Sequence, residues 1–156
     1  MNRNEMKIEF GSDPRNESFA RVVVASFMTR TNPTLEEVAD VKTAVSEAVT
    51  NSIIHGYGQE EGTIEIRAYI EERKLYIEIT DYGCGIEDVE KAMEPMFTTG
   101  KDGRSGMGFS FMEAFMDELH VVSGQGRGTS VRMRKKIGSD RAESGKACDG
   151  SCNRTD

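Results

Sequence analysis

Residues 46–57 read SEAVTNSIIHGY, and they set polar groups at four-residue intervals inside an apolar pattern. Positions four apart share one helix face, so Glu47, Asn51 and His55 would line up a carboxylate, an amide and an imidazole. Val45, Ala48, Val49 and Ile53 flank that stripe with residues of core type. The same pattern runs back through Val41 and Val38 to Thr34-Leu35-Glu36-Glu37. There the Thr-x-x-Glu spacing of a capping box follows the break at Asn32-Pro33. The spacing therefore predicts a helix from Thr34 to about Ile54, with Gly56 as its stop signal.

On the N-terminal side, MKIEF (6–10) alternates like a strand, and a helix is expected near 16–30. Phe19, Val22, Val23, Ser26 and Phe27 keep helical spacing there, with one small polar member. On the C-terminal side, TIEIRAYI (63–70) and KLYIEIT (74–80) alternate and are joined by Glu71-Glu72-Arg73, which predicts an antiparallel hairpin. The Gly-rich turn DYGCG (81–85) ends the second strand, and a short helix is expected over 86–93. EPMFTTGKDGRSGMG (94–108) has no apolar period and reads as a long mobile loop. FSFMEAFMDEL (109–119) reads as a helix. HVVS (120–123) and TSVRMRKKI (129–137) read as a strand pair around GQGRG. Beyond Gly138 the composition turns small and polar, so a disordered tail over 138–156 should follow a domain over 1–137. Helices grouped against a mainly antiparallel, mixed sheet define the expected class: α+β, a two-layer α/β sandwich.

A chain of 156 residues can bury one substantial core. Its net charge of −7 argues against direct DNA binding, because phosphate binding rests on Lys and Arg. The basic run RMRKK (132–136) is expected to be a solvated strand edge. No apolar run is long enough to cross a bilayer, and the first residues have no signal-peptide core. Cys84, Cys148 and Cys152 are too few and too scattered for a disulfide scaffold or a zinc site. A reduced, cytoplasmic protein is expected.

Three clusters can carry chemistry. Alone, Glu47…Asn51 fits the polar face of an amphipathic helix, and Asp81-Tyr82-Gly83-Cys84-Gly85 fits a tight turn. Arg104-Ser105-Gly106-Met107-Gly108 precedes a helix, where free N–H groups and the helix dipole favour phosphate. Other nucleotide motifs fail. Gly100-Lys101 is followed by Asp102 and Gly145-Lys146 by Ala147, so there is no P-loop. Gly106-Met107-Gly108 meets Phe111 where a dinucleotide fingerprint requires Gly or Ala. No protein-kinase H-R-D or D-F-G set is present.

The order of the clusters is more specific than any one of them. An E-x-x-x-N helix, a strand ending in D-x-G-x-G, a loop and a G-x-G helix start resemble the ATP-binding fold shared by gyrase, Hsp90, histidine kinases and MutL. Within that superfamily, SEAVTNSIIHGY, DYGCGI, PMFTTGKDGRSGMGFSFMEAFMD and GRGTSV together resemble the anti-sigma F family of spore-forming bacteria. The resemblance covers about 1–137.

It implies a homodimeric, Mg-ATP-dependent serine kinase that holds a sporulation sigma factor (sigma F). Such a kinase phosphorylates an anti-anti-sigma antagonist, and the antagonist in its unphosphorylated form displaces sigma. Asp81 would accept a hydrogen bond from the adenine amino group. Gly83 and Gly85 would let the backbone approach the base, and Thr129 matches a threonine near the adenine. Asn51 would give a neutral oxygen to Mg²⁺, and Glu47 would be the general base. Gly106 and Gly108 would lie along the phosphates of ATP or ADP. Arg104 and Ser105 would contact phosphate or lid, and Thr98 and Thr99 would belong to the closing loop. Arg21, on the first helix, would serve partner docking. His55 and His120 are assigned packing or hydrogen-bonding roles. Alternatives are a stress-response anti-sigma kinase of the same family, a nucleotide-gated sigma-binding module without kinase activity, and an isolated histidine-kinase catalytic domain.

Overall fold

The computed structural model describes residues 3–94 and 108–138. The central helix forms where the capping signal sits. The Thr34 hydroxyl accepts from the Glu37 N–H at 3.0 Å, and the Glu37 carboxylate accepts from the Thr34 N–H at 3.1 Å. That reciprocal pair opens α2 (Leu35–Asn51) and contributes about 1 kcal/mol. Val41, Ala44, Val45, Ala48 and Val49 are its buried face, and each fully buried valine stabilises the fold by roughly 1.5–3 kcal/mol.

The helix does not stop at Gly56. At Ser52 it widens into a π-type turn, Ser52–Tyr57, and the chain leaves it at Gly58. The stop signal in the sequence therefore lies inside the turn, two residues early.

Five strands form one antiparallel sheet in the order β1-β2-β3-β5-β4: β1 (Asn4–Gly11), β2 (Thr63–Glu71), β3 (Lys74–Asp81), β4 (Glu118–Gly124) and β5 (Gly128–Lys136). The pairings between neighbours are antiparallel throughout. The β2–β3 turn carries Glu72 and Arg73 at positive φ, as a two-residue hairpin requires. Strand alternation sends Ile64, Ile66, Leu75, Ile77, Ile79, Val131 and Met133 to the helix side. Helices α1 (Asn16–Met28), α2 and α4 (Gly108–Phe115) cover that side, and α3 (Val89–Ala92) is one short turn. The result is the expected α+β two-layer sandwich, except that the sheet is wholly antiparallel among the described residues and not mixed.

Several local expectations are corrected. On α1 the buried ridge is Ala20, Val24 and Met28, whereas Phe19 and Val22 are 51% and 56% exposed. Both faces of this helix carry apolar residues, so spacing alone could not choose the inner one. The helix expected over 109–119 ends at Phe115, because the chain is already captured by the sheet. The Asp117 N–H donates to the Arg134 carbonyl at 2.9 Å, and the Asp117 carboxylate accepts from the Lys136 N–H at 2.6 Å. The strand that follows starts at Glu118, and His120 is exposed within it. The helix expected over 86–93 shortens to Val89–Ala92, capped by Asp88.

RMRKK is not on an edge strand. β5 lies between β3 and β4, with Arg132 paired to Glu78 at 2.7 Å and Arg134 to Glu118. Cross-strand carboxylates thus balance both arginines. Among the described residues, no helix is long and apolar enough to cross a membrane.

Candidate functional site

The widened turn at the end of α2 faces the end of β3. Asp81, the last residue of β3, is 3% exposed. The Gly83 N–H donates to its carboxylate at 3.0 Å, and the Ser52 hydroxyl and Thr129 N–H face it as further donors. Burial pushes the Asp81 carboxyl above the usual aspartate value, and these hydrogen bonds oppose the shift without cancelling it. Thr129 lies opposite Asp81 in the β3–β5 register, with its hydroxyl 2.8 Å from that of Ser123. Ser123 in turn accepts the Ile86 N–H at 2.7 Å, which fastens the chain beyond the glycines to β4.

The two glycines after Asp81 are required by protein packing. A Cβ at Gly83 would lie 2.1 Å from the Gly56 carbonyl oxygen. One at Gly85, whose φ is +77°, would lie 2.0 Å from the Gly124 carbonyl oxygen. Between them, the Cys84 N–H donates to the Gly56 carbonyl at 2.9 Å and the Cys84 carbonyl accepts from the Gly126 N–H at 2.7 Å. The loop is held between the turn at 52–57 and the β4–β5 connection.

The other end of the site is built by α2 and α4. Phe109 and Met112 are buried and anchor α4, which brings its first residue against the last turn of α2. A methyl carbon on Gly108 would lie 3.1 Å from a Glu47 carboxylate oxygen and 3.3 and 3.4 Å from the two Asn51 amide atoms. Glu47 and Asn51 are both half-buried. A carboxylate and an amide on one helix face, as the E-x-x-x-N spacing predicts, therefore meet the first residue of a second helix. Ser52, the neighbour of Asn51, holds Asp81, so the two ends of the site adjoin along one chain segment.

The sequence-derived residues divide accordingly. The structure brings Glu47, Asn51 and Gly108 together at one end, and Asp81, Gly83, Gly85 and Thr129 at the other. Thr98, Thr99, Arg104, Ser105 and Gly106 lie outside the described residues. The widened turn displaces His55 from the Glu47–Asn51 stripe. It is exposed, and its carbonyl accepts the Cys84 thiol at 3.1 Å. Arg21 is away from both ends on α1, where it spans Glu17 at 3.8 Å and Ser18 at 3.5 Å.

Sequence reasoning missed Ser52, Gly56 and Tyr57, which shape the seat of Asp81. Their one signal was a small hydroxyl residue interrupting an otherwise apolar window directly after Asn51. Among the described residues, no three His, Cys, Asp or Glu side chains could hold a metal between them. The Asn51 amide offers one neutral oxygen beside the Glu47 carboxylate at the start of α4, a donor chemistry that suits Mg²⁺, which takes oxygen ligands and keeps waters.

Comparison with known proteins follows the same lines. The profile of the histidine kinase-like ATPase domain matches residues 10–135. The chain is 58% identical over 139 residues to the anti-sigma F factor of a Thermoanaerobacter species, covering 88% of this chain and 97% of that protein. It is 56% identical over 138 residues to the anti-sigma F factor of Clostridium acetobutylicum, covering 88% and 96%. Among solved structures, the RsbU and RsbW domains of a Mycobacterium tuberculosis protein align with a TM-score of 0.62 at 18% identity, over 86% of this chain and 32% of that one. The catalytic domain of histidine kinase ThkA aligns with a TM-score of 0.53 at 17% identity, over 85% and 98%.

Proposed function

Because the chain belongs to the anti-sigma F factor family, with a histidine kinase-like ATPase domain, we propose that it is a Mg-ATP-dependent protein serine kinase that binds and inhibits a sporulation sigma factor. Its phosphorylation substrate would be an anti-anti-sigma protein, and the working unit a cytoplasmic homodimer. The observation that carries the kinase reading is the meeting of Glu47 and Asn51 at Gly108, the N-terminal residue of α4.

Asp81 would select the base, its acceptor oxygens directed to the adenine amino group. Backbone N–H groups at a helix start favour phosphate, so Gly108 would lie beside the phosphates. Asn51 would offer its amide oxygen to Mg²⁺, and the ion when bound neutralises phosphate charge. Glu47, one turn before Asn51, would accept the proton of the attacking serine hydroxyl. Thr98, Thr99, Arg104, Ser105 and Gly106 belong to the segment between α3 and α4 and would complete the phosphate contacts. Arg21, beside the exposed Phe19 and Val22 on α1, would dock the protein partners.

The test separates transfer from binding. Glu47→Ala should keep ATP and sigma binding while losing transfer of radiolabel from ATP to the serine of the antagonist. Unchanged transfer would remove Glu47 as the base. Loss of transfer with no binding defect would exclude a purely nucleotide-gated binding module as the wild-type activity.

A further inference from the structure

β2 and β3 stay in register from Glu71 opposite Lys74 to Ile64 opposite Asp81. One further step would set Thr63 opposite Tyr82, but the pairing ends first. A third group occupies that place. The Tyr57 hydroxyl donates to the Thr63 carbonyl at 2.5 Å and accepts from the Tyr82 N–H at 2.7 Å. One phenol oxygen thus stands between two backbones at the point where the ladder would otherwise continue.

We propose that Tyr57 is a positioning residue for base recognition: its hydroxyl wedges β2 and β3 apart immediately after Asp81 and so fixes where the Asp81 carboxylate points. The proposal rests on the reading of Asp81 as the adenine partner.

Three features support a wedge over an incidental contact. One oxygen engages both backbone groups at the strand ends, so removing the hydroxyl leaves the Thr63 carbonyl and the Tyr82 N–H to water or to each other, with nothing holding them at a fixed separation. The chain released by the wedge turns at once toward the widened helix end, where Cys84 and Gly83 meet the Gly56 backbone. The ring is also seated tightly, since a Cβ on Gly62 would lie 2.2 Å from it. Burial raises the phenol above its ordinary ionisation range, so the oxygen remains a donor as well as an acceptor.

Ser52 and Tyr57 come from the two ends of the same π-type turn, and they hold the Asp81 carboxylate and the backbone directly after it. A regular α-helical ending would change the spacing between these two grips. Such turns are frequent at functional sites.

The experiment compares two nucleotides by calorimetry in magnesium: ATP, and purine riboside triphosphate, which lacks the 6-amino group. The proteins are wild type, Tyr57→Phe and Gly62→Ala. The second variant keeps the hydroxyl but pushes the ring off its seat, so it serves also if Tyr57→Phe does not fold. Wild type should prefer ATP by about tenfold or more, the size of one lost hydrogen bond to a charged group. In either variant the preference should fall to about twofold, while affinity for the analogue stays within about twofold of wild type. A preference retained in both variants would overturn the wedge. Equal loss of affinity for both nucleotides would also overturn it, because a merely structural contact loosens the whole site. A wild type without any preference would instead remove Asp81 as the adenine partner.

Discussion

The two acidic residues of the site are seated in opposite ways. Asp81 is sunk at a strand end, faced by three donors and held by glycines that admit no other side chain. Glu47 is half-buried on a helix face, beside an amide and the first residue of α4. The first arrangement is rigid and suits recognition of one fixed group, since a buried acceptor left unmatched costs free energy. The second lies at the start of α4, where the proposed reading would set the reacting phosphate. On the proposed reading, binding would fall to Asp81 and chemistry to Glu47, with the segment Glu47–Tyr57 running from one end of the site to the other.

That division can be attacked from either side. The largest effect is expected at Glu47, where replacement by alanine should slow phosphoryl transfer by about 10²–10⁴-fold, the usual worth of a general base. Nucleotide affinity should stay within about threefold, because the base acts on the attacking hydroxyl. Asp81→Asn should do the reverse. An amide NH₂ cannot accept from the Gly83, Ser52 or Thr129 donors, so ATP affinity should fall by about tenfold or more, read by calorimetry. Transfer at saturating ATP should then largely survive. A variant of either residue that damages binding and rate equally would erase the distinction.

Smaller effects sharpen it. Gly83→Ala should lower stability to chemical denaturation by about 1–3 kcal/mol, because its methyl group meets the Gly56 carbonyl. The pH response of Asp81 runs in two directions. Its carboxyl is raised above 3.8 in the fold, so its contribution to stability is full at low pH and is lost as pH rises through the raised value. ATP binding favours the charged form and should weaken as pH falls through that same value. Asp81→Asn should flatten the second trend, measured as ATP affinity against pH.

Much of this was readable from the chain. The capping box at Thr34, the alternation in the strands and the Glu47…Asn51 spacing each depend on neighbours close in sequence, and each survives in the structure. The inner face of α1 was not readable, because Phe19 and Val22 match a core stripe as well as Ala20 and Val24 do. Only packing against α2 decides between them. The π-type turn was equally hidden. Gly56 reads as a helix stop, yet it lies where the Gly83 backbone and the Asp81 carboxylate crowd against it from a distant strand. Glycine at 83 and 85 also has a reason hidden from the local sequence: a Cβ there would collide with the Gly56 and Gly124 carbonyls. β5 became an interior strand because β4, adjacent in sequence, folds back to take the edge.

The most direct measurement is a crystal structure with magnesium and a non-hydrolysable ATP analogue. The adenine amino group should lie within hydrogen-bond distance of the Asp81 carboxylate, with the terminal phosphate beside Asn51 and Gly108 and the Glu47 carboxylate turned toward it. A nucleotide whose base avoids Asp81, or whose terminal phosphate lies remote from Glu47, would contradict the division of labour between the two acids.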